Sequence, residues 1–169
     1  MQITETERLV LTEFTSDDAA FVLDLVNEPA FHKFIGDRGV RTCADAEHYI
    51  EERLIARYRD QGFGFWRMAL KGVGTPIGMC GLVKRDILDD VDIGFALLKP
   101  YEGNGYACEA ARATLAVARE RFGLTRIAGV VDPANARSIR LLERLGLSFS
   151  HDVTWPDDGT RVAIYIRDL

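Results

Sequence analysis

The sequence predicts an α/β protein in which helices pack on one mixed β-sheet. Strand-like apolar runs follow one another at residues 63–70, 77–84 and 91–98, and their connections are too short to hold a helix. A helical pattern at 106–122 then separates the third run from a buried strand at 126–131, which is the parallel βαβ arrangement. We therefore expect about seven strands, with an antiparallel N-terminal meander and a central parallel step.

The N-terminal third combines one strand with several helices. Residues 8–14 alternate apolar and polar side chains, as in a half-buried strand. Ser16 is placed to cap a first helix, and a short helical piece follows around 31–35. Thr42 is placed to cap a longer helix from about 44 to 59, whose acids come early and whose arginines come late, as the helix dipole prefers.

The C-terminal third continues the sheet beyond its parallel step. A helix is predicted from about 136 to 145, followed by strands at 147–155 and 161–167. The turn residues at 156–159 join these strands into a hairpin. Because no linker, repeat or low-complexity stretch interrupts the chain, we expect a single domain over residues 1–169.

Composition excludes several classes of partner. The net charge is −5 with no lysine- or arginine-rich run, which argues against a nucleic-acid partner, and no apolar run is long enough to span a membrane. Three scattered cysteines, Cys43, Cys80 and Cys108, fit neither a disulfide framework nor a metal-ligand spacing. The first residues show no signal-peptide pattern, so we expect a cytoplasmic protein without a metal ion.

Two glycines, Gly103 and Gly105, lie between the strand at 91–98 and the helix that begins near Tyr106. Such a loop lets the backbone approach a ligand closely, and the free N–H groups of the helix start favour an anion. A pyrophosphate is the predicted ligand, and the alternative is a plain strand-to-helix turn. A P-loop is excluded because no Gly-Lys-Ser/Thr follows, and a dinucleotide fingerprint is excluded because Cys108 replaces its third glycine.

A set of motifs spread along the chain resembles one known family. In chain order they are Thr6-Glu7-Arg8-Leu9-Val10-Leu11, Ile77-Gly78-Met79-Cys80-Gly81-Leu82, Val91-Asp92-Ile93-Gly94-Phe95, Gly103-Asn104-Gly105-Tyr106-Ala107-Cys108-Glu109-Ala110, Asn135-Ala136-Arg137-Ser138 and Leu145-Gly146-Leu147. Their order and spacing are similar to those of GNAT-type N-acetyltransferases, and within these to the RimJ/RimL-type branch that acetylates the N-termini of ribosomal proteins. One departure is Pro100, which stands where the family usually has Gln or Arg.

The resemblance implies acetyl-CoA as cosubstrate, bound on the parallel step. Its pantetheine arm would pair with exposed strand backbone, and its pyrophosphate would lie on the N–H groups of the glycine loop. The implied binding residues are Leu97, Leu98, Gly103, Asn104, Gly105, Tyr106, Ala107, Asn135 and Ser138.

The implied reaction transfers the acetyl group to a primary amine. A protein or peptide N-terminus is the first choice of acceptor by resemblance. The alternatives are a small polyamine or amino compound, or a non-catalytic acyl-CoA-binding domain. We expect a monomer or a homodimer.

Asp92 and Ser138 are the candidate catalytic residues. Asp92 lies mid-strand, where an acid needs a function or a partner, and alternation puts it on one face with Gly94 and Ala96, whose small side chains leave room for a substrate. The alternative is a solvated or salt-bridged strand acid. Ser138 is the candidate acid or thiolate partner, because Leu142 replaces the Tyr that many relatives use. The alternative is that Ser138 satisfies an N–H group at a helix start.

Two aromatic residues are candidates for the acceptor pocket. These are Trp66 and Phe34, with core packing as the alternative for both. Arg137, Arg140 and Arg144 could reach the 3′-phosphate of coenzyme A, or could form a solvated helix face.

Overall fold

Eight strands form one mixed sheet in the computed structural model, which describes residues 1–156 and 158–169. The strands are β1 (Gln2–Glu5), β2 (Leu9–Thr12), β3 (Phe65–Leu70), β4 (Pro76–Val83), β5 (Val91–Leu97), β6 (Arg126–Val131), β7 (Ser148–Thr154) and β8 (Arg161–Asp168). Their order across the sheet is β1-β2-β3-β4-β5-β6-β8-β7. Neighbouring strands are antiparallel except β5 and β6, which are parallel. The predicted fold class, with its antiparallel meander and central parallel step, is confirmed.

The sequence predicts about seven strands, and the additional strand is β1. It pairs antiparallel with β2 at the edge of the sheet, with a register shift between Gln2 and Thr4. Its four residues are exposed or half-buried, so alternation over so short a run was too weak a signal. At the other edge, β8 lies between β6 and β7. The turn predicted at 156–159 includes Asp157, which lies outside the described residues.

Six α-helices flank the sheet within the described residues. They are α1 (Ala19–Val26), α2 (Pro29–Phe34), α3 (Cys43–Tyr49), α4 (Ala56–Gln61), α5 (Tyr106–Phe122) and α6 (Ala136–Arg144). A π-helical segment, Ile50–Ile55, joins α3 to α4 without a break, so the long helix predicted at 44–59 is present with a wider middle. Thr42 caps this helix as predicted, because its side chain accepts a hydrogen bond from the backbone N–H of Asp45.

The two faces of the sheet pack against different helices. Trp66 and Cys80 belong to a core that includes residues of α5 and α6, and we call this side the α5 face. Met79 belongs to a second core with residues of α1, α2, α3 and the π-helical segment, and Phe65 and Ala96 pack against it. We call that side the N-terminal face. Each helix layer therefore covers its own side of the central strands.

A gap opens between the two parallel strands. β5 and β6 pair only at Val91↔Ile127 and Asp92↔Ala128. β5 stays paired with β4 as far as Leu97, and β6 stays paired with β8 to its end. The strands therefore diverge beyond Asp92, and part of their backbone is left without a strand partner inside the sheet.

Candidate active site

A cleft of about 870 Å³ follows the gap between β5 and β6. Part of its wall comes from the glycine loop and α6, including Gly103, Tyr106 and Ser138, and another part comes from Tyr49 and Arg57 of the N-terminal helices. Because α5 and α6 pack on one face of the sheet and α3 packs on the other, the cleft connects the two faces through the gap. Two reactants can therefore meet there from opposite sides.

The glycine loop carries unpaired N–H groups beside this cleft, which Gly103 and Gly105 line and Asn104 does not. Gly103 and Gly105 have φ values of 79° and 80°, in the left-handed region that glycine adopts without strain. In the described part of the chain, the backbone N–H groups of Gly103, Asn104 and Gly105 donate no intramolecular hydrogen bond. The first N–H groups of α5 also lack helical acceptors. Free N–H groups of this kind are what an anion site needs, and the binding of a pyrophosphate by this loop stays a prediction.

Arg8 holds this loop in place from the other end of the chain. Its Nη1 donates to the carbonyl oxygen of Asn104 at 3.0 Å, and its guanidinium lies 4.5 Å from the centroid of the Tyr106 ring. Its Nε donates to Oε2 of Glu109 at 2.7 Å, while the Thr6 hydroxyl donates to Oε1 of the same carboxylate. Sequence analysis missed this role, although Arg8 lies in the first motif of the resemblance.

The free backbone groups of β5 coincide only in part with those predicted, which were placed at Leu97 and Leu98. The N–H of Leu98 donates to Ile77 and its carbonyl oxygen accepts from Tyr101, so both of its backbone groups are already paired. Since alternate residues of β5 bond to β4, Phe95 and Leu97 direct their backbone groups into the gap. The position of Leu97 fits its predicted role, that of Leu98 does not, and Phe95 was missed.

Asp92 lies at the point where the strands begin to diverge. It is 1% exposed, its Oδ2 accepts from Arg85 Nε at 2.8 Å, and its Oδ1 accepts from the backbone N–H of Val130 at 3.1 Å. The carboxylate therefore accepts from Val130, which lies two residues beyond Ala128, the last residue of β6 that pairs with β5. Burial raises the pKa of the Asp92 carboxyl, and the charge of Arg85 opposes that rise. The structure shows a salt-bridged strand acid, and its role as general base stays a prediction.

The wall of the cleft beside Asp92 differs from the expectation. A Cβ atom on Gly94 would lie 2.7 Å from two ring carbons of Phe65, so that ring occupies the space expected for a substrate. Trp66 points to the opposite face, is 1% exposed and packs in the core, which was the alternative for it. Alternation along β3 places Phe65 on the cleft instead. Phe34 lines the cleft, in agreement with its predicted position.

Ser138 and Asn135 lie together at the start of α6. Oδ1 of Asn135 accepts from the backbone N–H of Ser138 at 3.2 Å, so Asn135 supplies the N-cap. Within the described residues, the Ser138 hydroxyl makes no hydrogen bond, although the residue lines the cleft. The capping role considered for Ser138 thus falls to Asn135, and the thiolate role of Ser138 stays a prediction.

The arginines of α6 lie along the same wall. Nη1 of Arg137 contacts Oε2 of Glu102 at 2.6 Å and so bridges α6 to the glycine loop. Arg140 and Arg144 line the cleft without a carboxylate within 4.0 Å in the described part of the protein. A role for them at the 3′-phosphate of coenzyme A stays a prediction.

Two further properties concern metals and membranes. Over residues 1–156 and 158–169, no group of three or more His, Cys, Asp or Glu side chains is placed to hold a metal ion. None of the helices described combines the length and the apolar character needed to cross a membrane.

Comparison with known proteins identifies the family. Residues 8–148 match the family model described as "Acetyltransferase (GNAT) domain". The chain belongs to this acetyltransferase family. The predicted family and the predicted enzyme class are thereby confirmed.

The acetyltransferase is similar to YkkB of Bacillus subtilis, with 34% identity over 113 residues, and spans 64% of that relative's length with 64% of its own. It is also 26% identical over 146 residues to the uncharacterized N-acetyltransferase YoaA of Bacillus subtilis, covering 85% of this chain and 81% of that one.

Two solved structures share its fold. An acetyltransferase from Agrobacterium tumefaciens superposes with a TM-score of 0.82 at 25% identity, over 99% of this chain and 94% of that one. RimL, a ribosomal L7/L12 alpha-N-protein acetyltransferase in complex with coenzyme A, gives a TM-score of 0.75 at 13% identity, over 100% and 98% of the two chains.

The residues of this acetyltransferase fit the acetyl donor that the family uses, acetyl-CoA. The amide groups of a pantetheine arm need backbone partners, and Phe95 and Leu97 direct theirs into the gap. A pyrophosphate needs clustered N–H donors, which the loop from Gly103 to Gly105 provides.

Proposed function

We propose that this acetyltransferase transfers the acetyl group of acetyl-CoA to a primary amine, with a protein or peptide N-terminus as its first acceptor class. The gap beyond Asp92 carries this proposal, because it joins an anion-binding loop on one face to an open cleft on the other. YoaA is named an N-acetyltransferase, which supports an amine acceptor. RimL is named an alpha-N-protein acetyltransferase, which supports the α-amine of a protein.

The donor would be held chiefly by main-chain groups. Phe95 and Leu97 would pair with the pantetheine arm as an added strand does, and the loop from Gly103 would hold the pyrophosphate. When bound, acetyl-CoA supplies the activated acyl group. The protein's part is to hold the amine and the thioester together, which accounts for a large share of the acceleration in reactions of this kind.

Proton transfer and charge stabilisation are the remaining tasks of the protein. The amine must lose a proton, and the Asp92 carboxylate is the candidate base, directly or through a water molecule. The carbonyl oxygen gains charge during attack, and a free N–H of β5, such as that of Phe95, is suited to stabilise it. A thiol has a pKa of about 8.5, so the leaving thiolate needs little help. The free hydroxyl of Ser138 is placed on the cleft wall to give that help.

The proposal includes the molecular context. We infer one domain over residues 1–169, acting in the cytoplasm as a monomer or homodimer, without a nucleic-acid or membrane partner. The three cysteines, Cys43, Cys80 and Cys108, are free in the structure, which agrees with a reducing compartment.

An amine panel tests this function. Thiol release from acetyl-CoA is measured with three probes: a peptide with a free N-terminus, the same peptide acetylated at its N-terminus but carrying an internal lysine, and the polyamine spermidine. Calorimetric titration with coenzyme A reports donor binding separately. We expect turnover on the free N-terminus and none on the blocked peptide.

Each other result changes a defined part of the proposal. Turnover on spermidine alone would move the acceptor to the small-amine class. Tight binding of coenzyme A with no turnover on any amine would favour a non-catalytic acyl-CoA-binding domain.

A further inference from the structure

The N-terminal side of the cleft carries positive charge that the protein does not neutralise. Arg38, Arg53 and Arg57 line this side together with Tyr49. In the described part of the chain, none of the three guanidinium groups lies within 4.0 Å of a carboxylate, whereas Arg85 is paired with Asp92. This excess is local, since the whole chain has a net charge of −5.

The acids near these arginines are engaged elsewhere or exposed. Asp37, which also lines the cleft, pairs with Arg41, and Asp92 pairs with Arg85. Asp86 is exposed and forms no ion pair with another described residue. Burial and the charges of Arg85 and Arg53 outweigh the charge of Asp86, which opposes the lowering of the Arg57 pKa. Within the described residues, no acid forms an ion pair with Arg38, Arg53 or Arg57.

Arg57 is the most affected of these groups. It is half-buried, and burial together with the charges of Arg85 and Arg53 lowers the pKa of its guanidinium. Arg38 and Arg53 are exposed, whereas Arg57 is held partly desolvated beside the charges of Arg53 and Arg85, which costs free energy that a bound anion would recover. Guanidinium groups suit carboxylates and phosphates, because their N–H groups bind two oxygens at once.

The arginines lie on the acceptor side of the gap. The pyrophosphate loop precedes α5, which packs on the α5 face, whereas Arg53 lies in the helical stretch that packs on the N-terminal face. Tyr49, one helical turn before Arg53, lines the same wall and offers a further hydroxyl. The positive side of the cleft is therefore separate from the groups that would hold the donor's phosphates.

We propose that the acceptor amine carries a carboxylate, which Arg53 and Arg57 bind while the amine approaches Asp92. This inference rests on the proposed acetyl transfer, and it names the acceptor's chemistry. Two sources supply such a group: the α-carboxylate of a free amino acid, or an acidic side chain close to a peptide N-terminus.

Matched acceptor pairs test the proposal and separate the two sources. One pair is L-alanine and L-alaninamide, and the other is the C-terminally amidated peptides Ser-Glu-Glu-Ala and Ser-Gln-Gln-Ala. The first pair differs in one carboxylate and the second in two, and the members of each pair have nearly the same shape. We expect kcat/KM for thiol release to be about 10- to 100-fold higher for the carboxylate member of one pair, as for a charge-assisted hydrogen bond.

Variants assign the effect to the arginines. Arg53→Gln and Arg57→Gln should remove most of that preference, and Arg57→Lys should keep part of it. Arg59→Gln is the matched control, because Arg59 lies on α4 beside Arg57 but is exposed and pairs with Glu51. All variants should bind coenzyme A as the wild type does, which shows that the fold is intact.

The outcomes distinguish this inference from the proposed function. Equal turnover on both members of each pair would overturn the carboxylate site and leave acetyl transfer standing. A preference that survives both Gln variants would overturn the role of the arginines. If no amine turns over, calorimetry with the carboxylate probes on the CoA-loaded protein decides. If the probes bind and Arg57→Gln abolishes this binding, the carboxylate site is supported although the proposed acetyl transfer is overturned. If the probes do not bind, the carboxylate site and the acetyl transfer are both overturned.

Discussion

Replacing Asp92 by Asn should separate its chemistry from its structural role. The carboxamide keeps an oxygen that can accept from the Val130 N–H, but it cannot act as a base at neutral pH. We expect turnover to fall by about 100-fold or more, as when a general base is removed, with the affinity for coenzyme A unchanged.

The effect of Asp92→Asn on stability follows from two opposing changes. The variant loses a charged hydrogen bond to Arg85, which is worth about 1.5–3 kcal/mol. It also removes a buried negative charge, because the side chain of Asp92 alone is 2% exposed. The side chain of Arg85 is 31% exposed, so its guanidinium can be hydrated once it has lost its partner. We expect the free energy of unfolding to change by less than about 1 kcal/mol.

Asp92→Ala should behave differently, because the Val130 N–H also loses its acceptor. We expect this variant to lose about 2–4 kcal/mol of stability and some affinity for the donor, as the gap is no longer held at its base. Denaturant unfolding and calorimetry measure the two quantities. The control is Asp90→Asn, which breaks an ion pair with Arg126 at the start of the same strand.

The raised pKa of Asp92 also predicts the direction in which turnover and stability change with pH. Burial raises the pKa of Asp92, so the rise of wild-type turnover with pH should lie above the ordinary Asp value of about 3.9 and vanish in Asp92→Asn. A raised pKa also means that the folded state binds this proton more tightly. Wild-type stability should therefore fall as pH rises through that window, and the variant should lack the fall. Unchanged turnover in Asp92→Asn, with both profiles intact, would refute the base assignment.

Three further substitutions test other parts of the cleft. Gly105→Ala should lower the free energy of unfolding by about 1–2 kcal/mol and weaken coenzyme A binding by about tenfold, because an L-residue is strained at a φ of 80°. Calorimetry measures the affinity, and an unchanged affinity would contradict the loop's role. Gly94→Ala should lower the free energy of unfolding by about 1–3 kcal/mol, because its methyl group would displace the ring of Phe65. Denaturant unfolding measures this, and a stability equal to that of the wild type would show that the ring can move aside without cost. Ser138→Ala should change stability by less than about 0.5 kcal/mol, since the hydroxyl caps nothing, and lower turnover; an unaltered rate would end its assignment as thiolate partner.

Local sequence pattern was sufficient to predict the sheet and the position of the glycine loop before α5. The alternation of β3, β4 and β5 and the glycines before α5 are visible in the sequence itself. The short edge strand Gln2–Glu5 was missed, since four half-exposed residues carry little pattern. Predictions that depended on the partners of a strand were only partly right. The register with β4 decides which backbone groups of Leu97 and Leu98 are free, and those of Leu98 are paired.

The environment of individual side chains was the least predictable part. Asp92 was singled out correctly as an unusual strand acid, but its partners come from a loop and from a neighbouring strand. The space beside Gly94 was predicted to hold a substrate, because the sequence alone does not show that the ring of Phe65 fills it. The positive side of the cleft could not be predicted for the same reason, since Arg38 and Arg57 are separated along the chain and come to line one cleft only through packing.

The contact of Arg8 with the glycine loop has a thermodynamic consequence. It joins residues about 100 positions apart, so the loop reaches its binding shape only after the N-terminal strands have docked. If docking favours coenzyme A, linkage requires that coenzyme A favours docking by the same factor. Hydrogen exchange of the amides in Leu9–Thr12 should then slow when the ligand is bound, although none of these residues lines the cleft. Strand β2, next to the edge of the sheet, would thus report on the occupancy of a cleft that it does not line.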